Sequence, residues 1–165
     1  MSVSADILRL HLDYSAWASQ RLLEAVANLP HEDLTRDFQT SDGNIVHTLS
    51  HVFAADRVWL SRVKGQSRST FMDDRDRELG TLQREWPLIH EGWKDWCAPL
   101  TDECAQTKVS YRDLKGNAWE QPIWQILLHV VNHGTHHRGQ VSGFLRAMRH
   151  DPPPLDLIAY YRSLG

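Results

Sequence analysis

The amino-acid sequence predicts an all-α fold, a four-helix bundle formed by a single domain over residues 1–165. The chain has 165 residues, of which 41% are hydrophobic and 24% charged, values that fit a globular domain and exclude disordered and fibrous classes. Four segments of about 18 residues or more repeat apolar residues every three or four positions. Helices that each carry one apolar stripe bury those stripes against one another, which favours a bundle.

The first helix is predicted over residues 4–29. Pro30 ends it, because proline lacks the backbone N–H that continues a helix. The residues that form its apolar stripe are Ile7, Leu10, Tyr14, Trp17, Leu22, Val26 and Leu29.

The second helix is predicted to begin after Asn44 or Asp42, since either side chain can cap a helix N-terminus. It continues to Val63, and Gly65 stands where a left-handed C-terminal cap is expected. The polar composition of segment 65–74 predicts a crossover loop, which is too short to separate two domains.

The third helix is predicted over residues 79–100, with Pro87 expected to kink it. Residues 108–120 lack the helical spacing of apolar residues. Val109 and Tyr111 precede a Lys-Gly-Asn turn, and Trp119 follows it. This pattern indicates a short hairpin or extended excursion before the last long helix.

The fourth helix is predicted from Pro122, which suits a first helical turn, to Met148, a length of roughly 40 Å. Three consecutive prolines at 152–154 stop the chain from continuing as a helix. The segment LDLIAYY, residues 155–161, is predicted as a short C-terminal helix.

Charge and cysteine usage limit the partners and the compartment. The net charge of -3 supplies no basic field for nucleic acid or anionic membranes, and no apolar run reaches membrane-spanning length. The N-terminal stretch lacks a secretory apolar core. Cys97 and Cys104 form no C-x-x-C pair, which suits a reducing compartment. We therefore expect a cytoplasmic protein that binds neither nucleic acid nor membrane.

Histidine is the residue type that points to chemistry, with ten in the chain and three pairs at HxxxH spacing. The pairs are His47 with His51, His129 with His133, and His133 with His137. A step of four residues turns a helix by only about 40°, so each pair projects from one face with Cβ atoms roughly 6 Å apart. One pair can supply two ligands to a metal ion, and another helix must supply the third.

Two common metal motifs are absent. No acidic residue stands three positions before any histidine, as di-iron bundles require, and Thr48 and Gly134 stand where zinc proteases have glutamate. A mononuclear imidazole site for Zn, Ni, Cu or Fe remains, with Mg and Ca disfavoured. The alternative is that these histidines are hydrogen-bonded residues of the core or rim. Unpaired imidazoles inside a bundle would cost about 1–3 kcal/mol each, which favours the metal hypothesis.

Four motifs resemble those of the DinB family of metal-binding helical bundles. They are HVVNHGTHHRGQV (residues 129–141), LSHVFAADRVWL (49–60), YSAWASQRLL (14–23) and PPPLDLIAYYR (152–162). The resemblance implies that His51, His133 and His137 bind one divalent metal ion, zinc or nickel before iron or manganese, with water completing the shell. It also implies a homodimer.

The other clustered histidines, His47, His129 and His136, are expected to be hydrogen-bonded core or rim residues. His136 is rotated by about 60° from His133 and about 100° from His137, off the ligand face.

The resemblance also indicates a function, because relatives include thiol S-transferases and isomerases that use low-molecular-weight thiols. We therefore expect a metal-dependent thiol transferase or a related detoxification or stress enzyme acting on a small molecule. A metal-dependent hydrolase is one alternative, and it would need a carboxylate or a histidine near the bound water. A non-catalytic stress protein, in which the metal only joins helices or subunits, is another.

Several further residues carry weaker expectations. Asn132, Tyr14 and Trp17 are candidates for lining a pocket, although packing explains each more simply. Asp56 is turned about 140° from His51 and is expected in a surface or interhelical pair. Cys97 is disfavoured as a nucleophile, since no histidine stands beside it at helical spacing. Gly139 and Gly143 would allow a close helix crossing, within the chain or in a dimer.

Overall fold

Four long helices form the body of the protein in the computed structural model, which describes residues 3–66 and 70–165. In chain order the helices are α1 (Ala5–Val26), α2 (His31–Leu34), α3 (Ile45–Val63), α4 (Leu79–Cys97), α5 (Ile123–Ala147) and α6 (Leu157–Ser163). The long helices pack in a ring in which α1 contacts α5, α5 contacts α3, α3 contacts α4 and α4 contacts α1. The predicted all-α four-helix bundle is therefore confirmed.

Helix α1 differs from its prediction at both its end and its buried face. It ends at Val26, and Pro30 then precedes the one-turn helix α2, which the sequence did not predict. Proline fits there because its fixed φ suits the start of a helix, where its missing N–H costs no hydrogen bond. Ile7, expected in the core, is 48% exposed, because the core stripe of α1 follows its neighbours Leu8 and Leu12.

Helix α3 begins as predicted from one of the two candidate caps. The Asn44 side chain accepts a hydrogen bond from the His47 N–H at 2.9 Å, whereas Asp42 lies in the preceding loop. Gly65 takes a left-handed φ of +69° just after the helix. Residues 67–69 of the predicted crossover loop lie outside the described residues.

The predicted hairpin is confirmed. Strand β1 (Lys108–Arg112) pairs antiparallel with strand β2 (Ala118–Pro122), and Tyr111 stands opposite Trp119. Gly116, at φ +87°, supplies the left-handed residue of the turn.

The boundaries of the later helices shift by a few residues. Helix α5 starts at Ile123, because Pro122 still belongs to β2 and stands at the N-cap of the helix. Helix α6 covers residues 157–163 rather than 155–161. Helix α4 continues through Pro87 and ends at Cys97, three residues before the predicted end at Leu100.

A buried arginine joins α5 to α1. Arg138 is 1% exposed, and its Nη1 donates to the hydroxyls of Ser15 and Ser19 at 3.0 and 3.1 Å. A Cβ added at Gly134 would lie 2.6 Å from that Nη1, so the glycine provides the space for the guanidinium. A Cβ at Gly139 would meet nothing within 4 Å.

Two sequence expectations are settled by this packing. Asp56 is an interhelical partner as expected, but it is buried rather than at the surface, and it accepts a hydrogen bond from Trp86 Nε1 at 2.9 Å. Gly139 and Gly143 make no close crossing within the described part of the chain, because added Cβ atoms at both would be free of contacts.

No helix in residues 3–66 and 70–165 has the length and hydropathy needed to span a membrane.

Replacing Gly134 by alanine should therefore destabilise the protein, although alanine is the better helix former. The new methyl group displaces the Arg138 guanidinium from its serine partners, and we expect the free energy of unfolding to fall by about 1–3 kcal/mol. Gly139→Ala on the same helix is the matched control and should raise it by about 0.5 kcal/mol. Urea unfolding of both variants measures this, and equal effects would contradict the packing of Arg138.

Candidate metal centre

Three histidines from two helices meet on one side of the bundle. His51 comes from α3, and His133 and His137 come from successive turns of α5. One ring nitrogen from each lies within 4.8 Å of the other two. The Nε2 atoms of His51 and His133 are 3.0 Å apart. The structure thus brings together the three residues that the family resemblance implied as ligands.

The ring contacts show that the cluster is compact. Ring centroids of His51 and His137, and of His133 and His137, are 4.6 Å apart, and those of His51 and His133 are 5.0 Å apart. Helical geometry places His133 and His137 one above the other on α5, and the packing of α3 on α5 adds His51. His137 is buried, and the other two are half-buried.

The distances fit a metal ion bound by imidazoles. Two nitrogens that each lie about 2.0–2.1 Å from one tetrahedral Zn²⁺ are roughly 3.3 Å from each other, close to the 3.0 Å between the two Nε2 atoms. Three imidazoles also form the donor set that zinc, nickel, copper and iron accept. The cluster of His51, His133 and His137 could therefore hold a metal ion.

The surroundings keep two of these imidazoles neutral, which is the form that binds metal. Burial, together with the neighbouring His137 and His51, lowers the pKa of His133 to about 3. Burial also lowers the pKa of His51, although the charge of Asp42 opposes that shift. At neutral pH, protons therefore compete weakly for both side chains.

Two polar side chains that the sequence analysis did not associate with the site stand beside it. The carboxylate of Asp42 lies 3.8 Å from His51 Nδ1 and 3.6 Å from His137 Nδ1. The Oε1 atom of Gln140 lies 2.8 Å from His137 Nδ1. Gln140 follows His137 by three residues, a helical spacing that could have identified it, whereas Asp42 belongs to a loop and was considered only as a helix cap.

The remaining clustered histidines lie outside this group. His47 is half-buried, and its Nδ1 lies 3.3 Å from the amide nitrogen of its cap residue Asn44. His129 is exposed and packs its ring 5.2 Å from that of Trp59. His136 is also exposed, and it lies off the face that carries the cluster, as its rotation on the helix predicted.

Tyr14 and Asn132 do line a cavity, but it is a different one. It has a volume of about 780 Å³ and lies between α1, α5 and the proline segment 152–154. None of the three clustered histidines belongs to its lining. Asn132 is turned about 100° from His133 on α5, which separates the two faces. Trp17 packs its ring 5.4 Å from that of Tyr160.

Cys97 is a buried thiol rather than a nucleophile. It is 2% exposed, and burial raises its pKa to about 12, so the reactive thiolate is unpopulated at neutral pH. Cys97 and Cys104 are both free cysteines.

A bundle with three histidines converging from two neighbouring helices defines a class of helical proteins with a candidate metal centre. The DinB family model matches residues 1–163, and the chain belongs to the DinB family. It is similar to "Protein DinB" of Bacillus subtilis (strain 168), with 24% identity over 156 residues that cover 90% of each chain. It also resembles the crystal structure of a DinB-like protein from Bacillus cereus ATCC 10987, with a TM-score of 0.70 and 19% identity. That likeness covers 93% of this chain and 99% of the other.

The metal-free protein should lose stability as the pH falls below 6.5. The unfolded chain then protonates histidine while His133, with its lowered pKa, stays neutral in the fold, so the unfolded state binds more protons. One such group contributes at most about 1.4 kcal/mol per pH unit, and less here because solvent screens a half-buried ring.

Urea unfolding in the presence of a chelator, between pH 7 and pH 4, measures this dependence. His133→Gln should flatten it, because that substitution removes the titrating ring. The control His31→Gln, at an exposed position, should follow the wild-type profile. A His133→Gln profile as steep as the wild type would contradict the assignment.

Proposed function

We propose that His51, His133 and His137 bind one divalent metal ion and that this centre is the active site of a thiol S-transferase or a related detoxification enzyme. Zinc and nickel suit the three imidazoles best, and iron or manganese is a weaker choice. The observation that carries the proposal is the convergence of three ring nitrogens within 4.8 Å of one another. Membership of the DinB family supports it.

The number of protein ligands favours catalysis over a purely structural role. Structural zinc sites use four protein ligands, whereas catalytic sites use three and leave a position for water or substrate. Among the described residues, the group that could hold the ion contains three histidines and no cysteine, aspartate or glutamate. A substrate atom could therefore occupy the remaining position.

The placement of the acidic side chains favours thiol chemistry over hydrolysis. When bound, the metal ion would lower the pKa of a thiol or water molecule that it contacts. A hydrolase also needs a base beside that water. Asp56 accepts a hydrogen bond from Trp86 in the core, and Asp42 faces the Nδ1 atoms of the histidines. A thiol substrate needs no such base, because its thiolate is already the nucleophile.

The protein's own side chains then bind and orient rather than transfer groups. His51, His133 and His137 hold the ion through uncharged nitrogens, so the ion keeps its full positive charge for the substrate. The two free thiols Cys97 and Cys104 are compatible with a reducing compartment, and we infer a cytoplasmic protein.

The partners that we infer are a small molecule, with a low-molecular-weight thiol as cosubstrate, and a second copy of the chain. Membership of the DinB family supports a homodimer, because the family resemblance implies one.

Substituting any one ligand should remove bound metal from the protein. We expect His51→Ala, His133→Ala and His137→Ala to lose stoichiometric metal, because two imidazoles bind a divalent ion much more weakly than three. His136→Ala is the control on the same helix and should keep it. Elemental analysis of untagged protein is the measurement, and loss of metal in the His136 variant would refute the ligand assignment.

The metal-loaded protein should transfer a low-molecular-weight thiol to a generic electrophile. The rate should fall to the uncatalysed level in His133→Ala, while Cys97→Ala should retain it, because the buried Cys97 thiol takes no part. Consumption of the electrophile, measured across a panel of bacterial thiols, tests this. Activity that survives removal of the metal but not the Cys97 substitution would disprove the proposal.

A further inference from the structure

The carboxylate of Asp42, in the loop before α3, lies beside the candidate metal centre. The Nε2 atoms of His51 and His133 face each other at 3.0 Å, so Nδ1 of His51 points away from their meeting point. That Nδ1 lies 3.8 Å from Oδ1 of Asp42, and Nδ1 of His137 lies 3.6 Å from Oδ2 of the same residue. One carboxylate therefore faces two of the three candidate ligands, with one oxygen for each.

Gln140 adds a direct hydrogen bond on the same side. Its Oε1 lies 2.8 Å from Nδ1 of His137. Because an amide oxygen only accepts, this contact is a hydrogen bond when Nδ1 carries the proton. It therefore favours the tautomer of His137 in which the Nε2 lone pair is available to a metal ion.

The position of Asp42 is fixed by the loop that carries it. Phe38 stacks on Phe144 of α5, with ring centroids 4.3 Å apart and an angle of 7° between the planes. The Phe38 N–H donates to the Gly43 carbonyl at 2.7 Å, and Gly43 turns the chain at a φ of +75°. Asn44 then caps α3. The loop thus contacts α5 at one end and leads into α3 at the other, which places Asp42 beside both helices.

The charge of Asp42 is directed at the histidines. Its side chain is only 20% exposed. Within residues 3–66 and 70–165, its ion-pair contacts shorter than 4 Å are the two imidazoles, and no lysine or arginine is among them. By contrast, the buried carboxylate of Asp76 is matched by the guanidinium of Arg57, whose Nη1 lies 2.9 Å from Oδ1. A partly buried carboxylate whose ion-pair contacts in the described residues are two imidazoles is best compensated by a cation bound between them.

We propose that Asp42 and Gln140 are positioning residues of the metal centre, which hold His51 and His137 with Nδ1 protonated so that both present Nε2 to the ion. The inference rests on the proposed function, since it requires the three histidines to be ligands. Outer carboxylates and amides of this kind orient imidazole ligands and make them more basic, and their loss weakens metal binding roughly 10- to 100-fold.

Competition with a chromophoric chelator gives the Zn²⁺ affinity of the full-length protein and its variants. Asp42→Ala and Gln140→Ala should each weaken Zn²⁺ binding roughly 10- to 100-fold. Asp42→Asn should weaken it less than Asp42→Ala, because the amide keeps an acceptor oxygen. Asp37→Asn is the matched control, because Asp37 lies on the same loop but accepts from the Gln39 N–H at 2.8 Å. It should keep the wild-type affinity.

A second measurement separates positioning from loop stability. Long-range ¹H–¹⁵N spectra of the zinc-loaded protein report which ring nitrogen carries the proton, and we expect Nδ1 for His51 and His137 in the wild type. Asp42→Ala should change this signature for His51 while the melting temperature of the metal-free protein stays the same. If Asp42→Ala lowers that temperature, Asp42→Asn is used instead, because it keeps the shape of the side chain and removes only its charge. We then expect a smaller change of the His51 signature in the same direction, and an unchanged signature would contradict positioning by the carboxylate.

Two results would overturn the inference. One is wild-type zinc affinity and unchanged ring signatures in the Asp42 variants. The other is an X-ray absorption spectrum in which Asp42→Ala removes an oxygen ligand, since Asp42 would then bind the ion directly. Failure of the metal centre itself is a distinct outcome, recognised when His133→Ala binds zinc as tightly as the wild type.

Discussion

The packing of α3 against α5 is the constraint on which the candidate metal centre depends. His51 comes from one helix, and His133 and His137 come from the other, so the distance and rotation of the two helices set the 3.0 Å between the Nε2 atoms of His51 and His133. Apolar burial holds these helices together, with Phe53 of α3 and Leu145 of α5 in one hydrophobic cluster. A small rotation of either helix would separate His51 from His133 and His137.

The rotation of α5 is also fixed from its other side. Arg138 points into the bundle and binds Ser15 and Ser19 of α1, in the space that Gly134 leaves. His137 is its immediate neighbour, so a helix anchored by that guanidinium presents its histidines to α3. The face around Asn132 turns toward the separate cavity of about 780 Å³. One helix therefore carries two separate surfaces, the histidine cluster and the lining of the cavity.

Electrostatics complete the arrangement. Burial and mutual repulsion keep His133 neutral, which favours metal over protons, while Asp42 supplies negative charge on the opposite side of two rings. A cluster of imidazoles with one facing carboxylate suits a divalent cation better than it suits three protons, since the protonated rings would repel one another at ring separations near 5 Å. The burial and the neighbouring histidines that lower the pKa of His133 also account for the expected loss of stability in acid.

The features that could be predicted from the amino-acid sequence are those that depend on residues close together in the chain. Apolar periodicity identified four helices, turn residues identified the hairpin, and HxxxH spacing placed His133 and His137 on one face, because helix geometry relates residues three or four apart. The remaining features depend on how distant segments pack against one another. These are the exposure of Ile7, the short helix α2 and the position of Asp42 beside the histidines. Each depends on contacts between segments far apart in the chain, and no local sequence pattern encodes the distances and rotations between such segments.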